Sequence, residues 1–325
     1  LTRNPRYWNA EQVSIERVEF RIVPDLAAQL ALYERGDLAV SGLPAAETER
    51  IQADPAWARE LQLLVQPGVS YLALNTQAAP TNDANVRRAI ASAIDRQYLI
   101  EQVLKQPWHL PAYALIPPQI PGYAGDGAGE AYRFDPEAAR RILAEAGYGP
   151  ANPVPPVELW YNREGNNEAL FKAVAGMLEA VGIPVRLLTS EWNVYLDGLE
   201  NCNRPVQAGA AKSPAECSYN LYRMGWVMDY PDAASMLATF QPGSRFQYTG
   251  WESAEYADLL GRALAEPDDA LRADLYAQAE RVIVQEAVII PLQYYDRTVL
   301  IKDGIRYDYP PFGPPNLQYW ELRSP

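Results

Sequence analysis

Catalytic chemistry needs particular side chains, and this chain is sparing with several of them. It holds one histidine, His109, and two cysteines, Cys202 and Cys217. A Ser-His-Asp or Cys-His centre would have to recruit His109, which sits in the stretch Pro107-Trp108-His109-Leu110-Pro111. A zinc site of four Cys and His ligands is excluded by that count, and no metal-ligand spacing is visible. Neither a P-loop nor a dinucleotide fingerprint occurs. Neither a metal nor a cofactor is therefore expected. The 41 Asp and Glu residues leave a two-carboxylate hydrolase open in principle, because such a pair need only stand ~5–10 Å apart in space. Nothing singles out such a pair.

Binding chemistry is better represented. Arg223, Trp226 and Asp229 fall in the run Arg223-Met224-Gly225-Trp226-Val227-Met228-Asp229-Tyr230-Pro231-Asp232. Trp192 follows Ser190-Glu191, and the adjacent pair Tyr294-Tyr295 lies near the C-terminus. These residues need rigid elements around them, and the patterning supplies those. Val18 to Val23 alternates apolar and polar and reads as a strand. Pro24-Asp25 opens a helix through Leu30 and Leu32 that stops at Gly36, and Asp37 to Val40 returns as a strand. A second helix spans 45–53, and 61–66 and 71–75 read as two further strands.

Asp83 is the N-cap of a helix burying Val86, Ile90, Ala93 and Ile94, and Asp95 caps the next one. The stretch 107–129, rich in proline and glycine, reads as a long ordered loop. Asp135-Pro136 starts another helix, which Gly147 ends. A strand at 157–161, a helix at 167–181 and a strand at 185–188 follow. The helices 254–265 and 269–286 precede the apolar strand 288–292, where alternation points only one of Tyr294 and Tyr295 inward. Strands alternating with helices make this an α/β protein.

The order of several motifs resembles the oligopeptide and dipeptide solute-binding proteins of ABC importers (extracellular solute-binding protein family 5). Arg3-Asn4-Pro5-Arg6-Tyr7-Trp8 is similar to that family's Asn-Pro-x-Tyr-Trp segment. Tyr71-Leu72-Ala73-Leu74-Asn75-Thr76 with Val86-Arg87-Arg88-Ala89-Ile90 and Ala93-Ile94-Asp95-Arg96 resembles its central signature. Phe134-Asp135-Pro136-Glu137-Ala138-Ala139 with Leu143 to Tyr148 resembles the next, and Gly225-Trp226-Val227-Met228-Asp229-Tyr230 its pocket motif. The resemblance implies an α/β, periplasmic binding protein-like fold (type II, peptide-binding cluster), with lobes of mixed β-sheet flanked by helices and the N-terminal part missing. On that basis 1–75 is expected to form part of a first (hub) lobe, 76–287 the C-terminal ligand-binding lobe, and 288–325 the return to the hub.

It also implies roles. Asp229 matches the Asp that meets a peptide ammonium, where a charge-assisted bond offsets desolvation; the plain alternative is a turn residue beside Tyr230-Pro231. Trp226 and Trp192 look like pocket tryptophans that accept varied side chains, with core aromatics as the alternative. Arg223 resembles a pocket arginine for a ligand carboxylate, or an internal ion-pair partner. Tyr295 or Tyr294 is expected to join them, and Asn75 is a further candidate. Cys202 and Cys217 bracket a segment rich in Pro, Gly and Ala that departs from the family by its length. A disulfide closing it is expected, fitting an extracytoplasmic location; two buried thiols are the alternative.

The expected function is capture of an oligopeptide or dipeptide between two lobes and its delivery to a membrane permease, by a monomer without enzymatic activity. The protein is expected in the periplasm or as a cell-surface lipoprotein. The same fold could instead take an oligosaccharide stacked on Trp192, Trp226 and Trp251, a nickel complex or another small solute. The formal charge of −13 argues against nucleic acid.

Overall fold

The computed structural model describes the whole chain except residues 126, 128–131, 204–216, 218, 314 and 323–325. Two compact units result: 1–66 with 296–325, and 67–295.

The smaller unit begins with helix α1 (Leu26–Glu34), whose N-cap Asp25 accepts the Ala28 N–H at 2.7 Å. Gly36 follows with φ +82°, a left-handed stop that glycine takes without strain. Strand β1 (Val40–Gly42) pairs antiparallel with residues 299–301. Helices α2 (Thr48–Ala53) and α3 (Pro55–Glu60) lead into β2 (Leu61–Leu74), which carries the chain into the larger unit. Leu30, Tyr33, Leu43 and Ile51 make the small core. The expected strand over 18–23 does not form: no ladder engages it, and Phe20 and Ile22 are 66% and 95% exposed. Alternation supplies a preference, but a strand also needs a partner for its backbone groups.

A second correction concerns β2, expected as two strands and found as one. Pro67 removes a donor, yet its carbonyl accepts the Met228 N–H at 2.9 Å. The ladder to the neighbouring strand then starts at once, at Gly68.

In the larger unit, α4 (Ala84–Ala93) and α5 (Arg96–Tyr98) follow from the N-caps Asp83 and Asp95. Then come α6 (Pro136–Glu145), β3 (Val157–Asn162), α7 (Asn167–Ala180), β4 (Val185–Ser190), α8 (Trp192–Asn203) and β5 (Leu221–Val227). The short α9 (Ala234–Leu237) precedes α10 (Ala254–Ala265) and α11 (Asp269–Gln285), and β6 (Ile289–Ile301) returns to the smaller unit. The sheet order is β6-β2-β5-β3-β4. β2 runs antiparallel to β5, while β3 lies parallel to both β4 and β5. This mixed α/β sheet, covered by α7 and α8, is the scaffold on which the candidate residues sit; α10 and α11 pack against each other and against α9.

Candidate functional site

Strand β5 and the turn after it hold three of the expected residues. Arg223 is half-buried, and its Nη2 donates to the Tyr295 hydroxyl at 3.1 Å. Nη1 reaches Asn162 Oδ1 at a long 3.5 Å. Among the described residues its internal partners are a phenol and an amide, with no ion-pair carboxylate.

Two glycines permit this arrangement. A Cβ at Gly225 would stand 1.9 Å from the Tyr295 hydroxyl oxygen, and one at Gly68 would stand 2.9 Å from Tyr295 Cδ2. The tyrosine ring therefore lies directly on the backbone of β2 and β5, a place open only where side chains are absent. A glycine inside a strand is the sequence signal for such a close approach, and Gly225 carries it.

Tyr294 points the other way, as strand alternation requires. It is buried, its N–H donates to the Leu110 carbonyl at 3.1 Å, and its ring meets Tyr123 edge-on at 6.3 Å. Tyr294 thus packs with the 107–123 loop, while Tyr295 joins Arg223.

Trp226 is half-buried with its ring edge-on to Phe246 at 4.8 Å. Its Nε1 is buried and has no hydrogen-bond partner among the described residues. Leaving such a donor unpaired costs on the order of 1–3 kcal/mol. Trp192 is the first residue of α8 and stacks on Tyr195 at 6.0 Å. Tyr195 in turn donates its hydroxyl to the carbonyls of Arg223 and Trp160. Gly198 lets α8 press onto the Trp160 indole, where a Cβ would come within 2.2 Å. Trp192 is thereby coupled to β5 through one buried phenol. Among the described residues, Trp192 and Trp226 share no ring contact.

Asp229 follows β5 on the surface. Its N–H donates to Ser235 Oγ at 2.9 Å, and its carboxylate makes no hydrogen bond or ion pair among the described residues. An exposed, unpaired carboxylate three residues beyond a half-buried indole can receive a cation without first breaking an internal bond.

Other candidates fall away from this cluster. Asn75 is fully buried, donating to the Tyr219 carbonyl at 3.3 Å and accepting the Gln77 N–H at 3.1 Å. His109 is buried, and burial pushes its imidazole down to about 4, so it stays neutral at ordinary pH. Trp251 is a core residue whose Nε1 donates to Glu286 at 2.8 Å, which removes it as a stacking platform for a sugar. Cys202 and Cys217 are bonded, with Cα atoms 6.1 Å apart. The segment 204–216 between them lies outside the described residues.

Three comparisons can be set beside this geometry. The family model of bacterial extracellular solute-binding proteins, family 5 Middle, matches residues 1–248. The chain is 29% identical over 316 residues to the oligopeptide-binding protein OppA of Bacillus subtilis, covering 94% of this chain and 54% of that protein. It is 29% identical over 304 residues to the probable deoxycholate-binding periplasmic protein YgiS of Escherichia coli, covering 92% and 53%. The crystal structure of Haemophilus influenzae OppA complexed with RPPGFSPFR superposes with a TM-score of 0.82 at 26% identity, covering 99% of this chain and 61% of that one. The chain spans about half the length of the curated relatives it matches.

Proposed function

The chain belongs to the bacterial extracellular solute-binding proteins of family 5, and from that premise we propose that its larger unit holds a peptide by the amino terminus for an ABC importer. The observation that carries the reading is the unpaired, exposed carboxylate of Asp229 at the end of β5. An ammonium placed there gains a charge-assisted bond that the protein does not already make internally. Trp226 offers apolar, sequence-tolerant contact beside it, and its unpaired Nε1 is a donor suited to a peptide carbonyl once the ring shifts. Arg223, held at one end by Tyr295 and Asn162, keeps further guanidinium donors for a ligand carboxylate. Trp192 and Tyr195 support the same strand from α8. Binding and release need no bond-making step, and delivery to permease subunits completes the proposed role. The Cys202–Cys217 bond fits work outside the cytoplasm.

The test is calorimetric titration of wild type and Asp229→Asn with Ala-Ala-Ala and its N-acetylated form. Wild type is expected to prefer the free amine, and the substitution to lower free-amine affinity by about tenfold. Equal affinities for the two forms in wild type would remove Asp229 from the site. A bile acid that bound while neither peptide did would keep the family and change the ligand class.

A further inference from the structure

The pocket motif ends in Asp229-Tyr230-Pro231-Asp232, and the role proposed above uses only its first aspartate. The second is the more heavily engaged. Asp232 Oδ1 accepts the Ala234 N–H at 2.8 Å, at the first residue of α9. Its Oδ2 stands 3.5 Å from Arg272 Nε, and after burial its negative charge is a further cause that raises the pKa of the Tyr276 phenol. Arg272 lies on α11, so this carboxylate ties the 229–235 turn to that helix. Within the turn, the Asp232 N–H donates to the Tyr230 carbonyl at 2.8 Å and the Asp232 carbonyl accepts the Ser235 N–H at 3.0 Å. Ser235, itself buried, then accepts the Asp229 N–H through its hydroxyl. On the other side, the N–H of buried Met228 is fixed to the Pro67 carbonyl.

We propose that Asp232 is the positioning residue for Asp229, holding that carboxylate at a fixed place for a ligand ammonium; the inference rests on the binding role given to Asp229 above. The division of labour follows from the charges. Arg272 is engaged by Asp232 and Asp269, so Asp232 keeps the nearby cation while Asp229 stays unpaired. Without Asp232, the turn loses its ion pair to α11 and its bond to the Ala234 N–H together. The Asp229 carboxylate then samples many positions, and the entropy of fixing it falls on ligand binding.

The test measures the affinity ratio between Ala-Ala-Ala and its N-acetylated form by calorimetry on the full chain. That ratio reports recognition of the amino group and is insensitive to a general loosening of the unit. Wild type sets its upper value and Asp229→Asn its lower one. Asp232→Ala is expected to reduce the ratio by about fivefold while leaving acetylated-peptide affinity in place. Arg272→Gln removes the ion pair to α11 and leaves the Asp232 bond to the Ala234 N–H in place, and it is expected to reduce the ratio by about twofold. Asp232→Asn, which keeps an oxygen for the Ala234 N–H, is expected to fall between wild type and Asp232→Ala. If Asp232→Ala does not fold, the other two variants carry the test. A wild-type ratio in every folded variant overturns the proposal, as does an equal loss for both peptides. A wild-type ratio of one removes the role of Asp229 itself, and this inference with it.

Discussion

Glu280 on α11 offers a prediction whose size follows from the structure. Its side chain is fully buried, and one carboxyl oxygen accepts the N–H groups of Leu115 and Ile116 at 2.6 Å each. The other oxygen is buried with no partner among the described residues. Burial raises the carboxyl to about 8, against the smaller opposing pull of the two N–H groups and of Arg281. The folded state therefore holds this proton more tightly than the unfolded chain. The stabilisation is fully present below the ordinary carboxylate value of 4.5 and is lost as pH rises through about 8. At about 1.4 kcal/mol per unit, the full swing is on the order of 5 kcal/mol. Glu280→Gln keeps an acceptor oxygen for both N–H groups and cannot ionise. Urea unfolding of both proteins at pH 5, 7 and 9 measures the effect, and titrations common to both cancel in the difference. The variant is expected to match wild type or fall slightly below it at pH 5. By pH 9 it should be more stable by several kcal/mol, on the order of that swing. A wild-type-minus-variant difference that stays flat within about 0.5 kcal/mol across the range would refute the protonated, buried state.

Gly225→Ala places a methyl where the Tyr295 hydroxyl sits; urea unfolding should show a loss of about 1–3 kcal/mol, and an unchanged midpoint would mean that Tyr295 moves aside freely. Thiol labelling of the denatured, unreduced protein should modify neither Cys202 nor Cys217, whereas two labelled cysteines would exclude the bond. Reduction of that bond, whose ends are separated by 15 positions in sequence, should lower stability by roughly 3 kcal/mol in the same unfolding assay.

Elements set by near neighbours were legible before any fold was known. Asp25, Asp83, Asp95 and Asp135 each cap the helix that follows them, with a side-chain oxygen accepting an N–H two or three residues on. Gly36, Gly147 and Gly182 end theirs with φ between +82° and +91°. Such interactions close within one turn of chain, so residue type and spacing carry them. The failures involve partners distant in sequence. The alternation at 18–23 has no ladder to join, and β2 continues through Pro67-Gly68 because β5, far along the chain, pairs with it.

The candidate site divides along the same line. Its residue types were readable in the Arg223-to-Asp232 run, including the tryptophan and the carboxylate that suit a peptide ammonium. Which of two adjacent tyrosines meets Arg223 depended on the register of β6, and the space for it depended on two glycines on separate strands. The burial of Trp251, the protonation of Glu280 and the anchoring of Asp232 to α11 were likewise invisible in one dimension. Local sequence determined the helices and their ends, and supplied the residue types of the candidate site. Only the tertiary structure decided which groups are paired and which stay open to a ligand, because burial and long-range contact set the free energy of a polar group, and neither exists until the chain has packed.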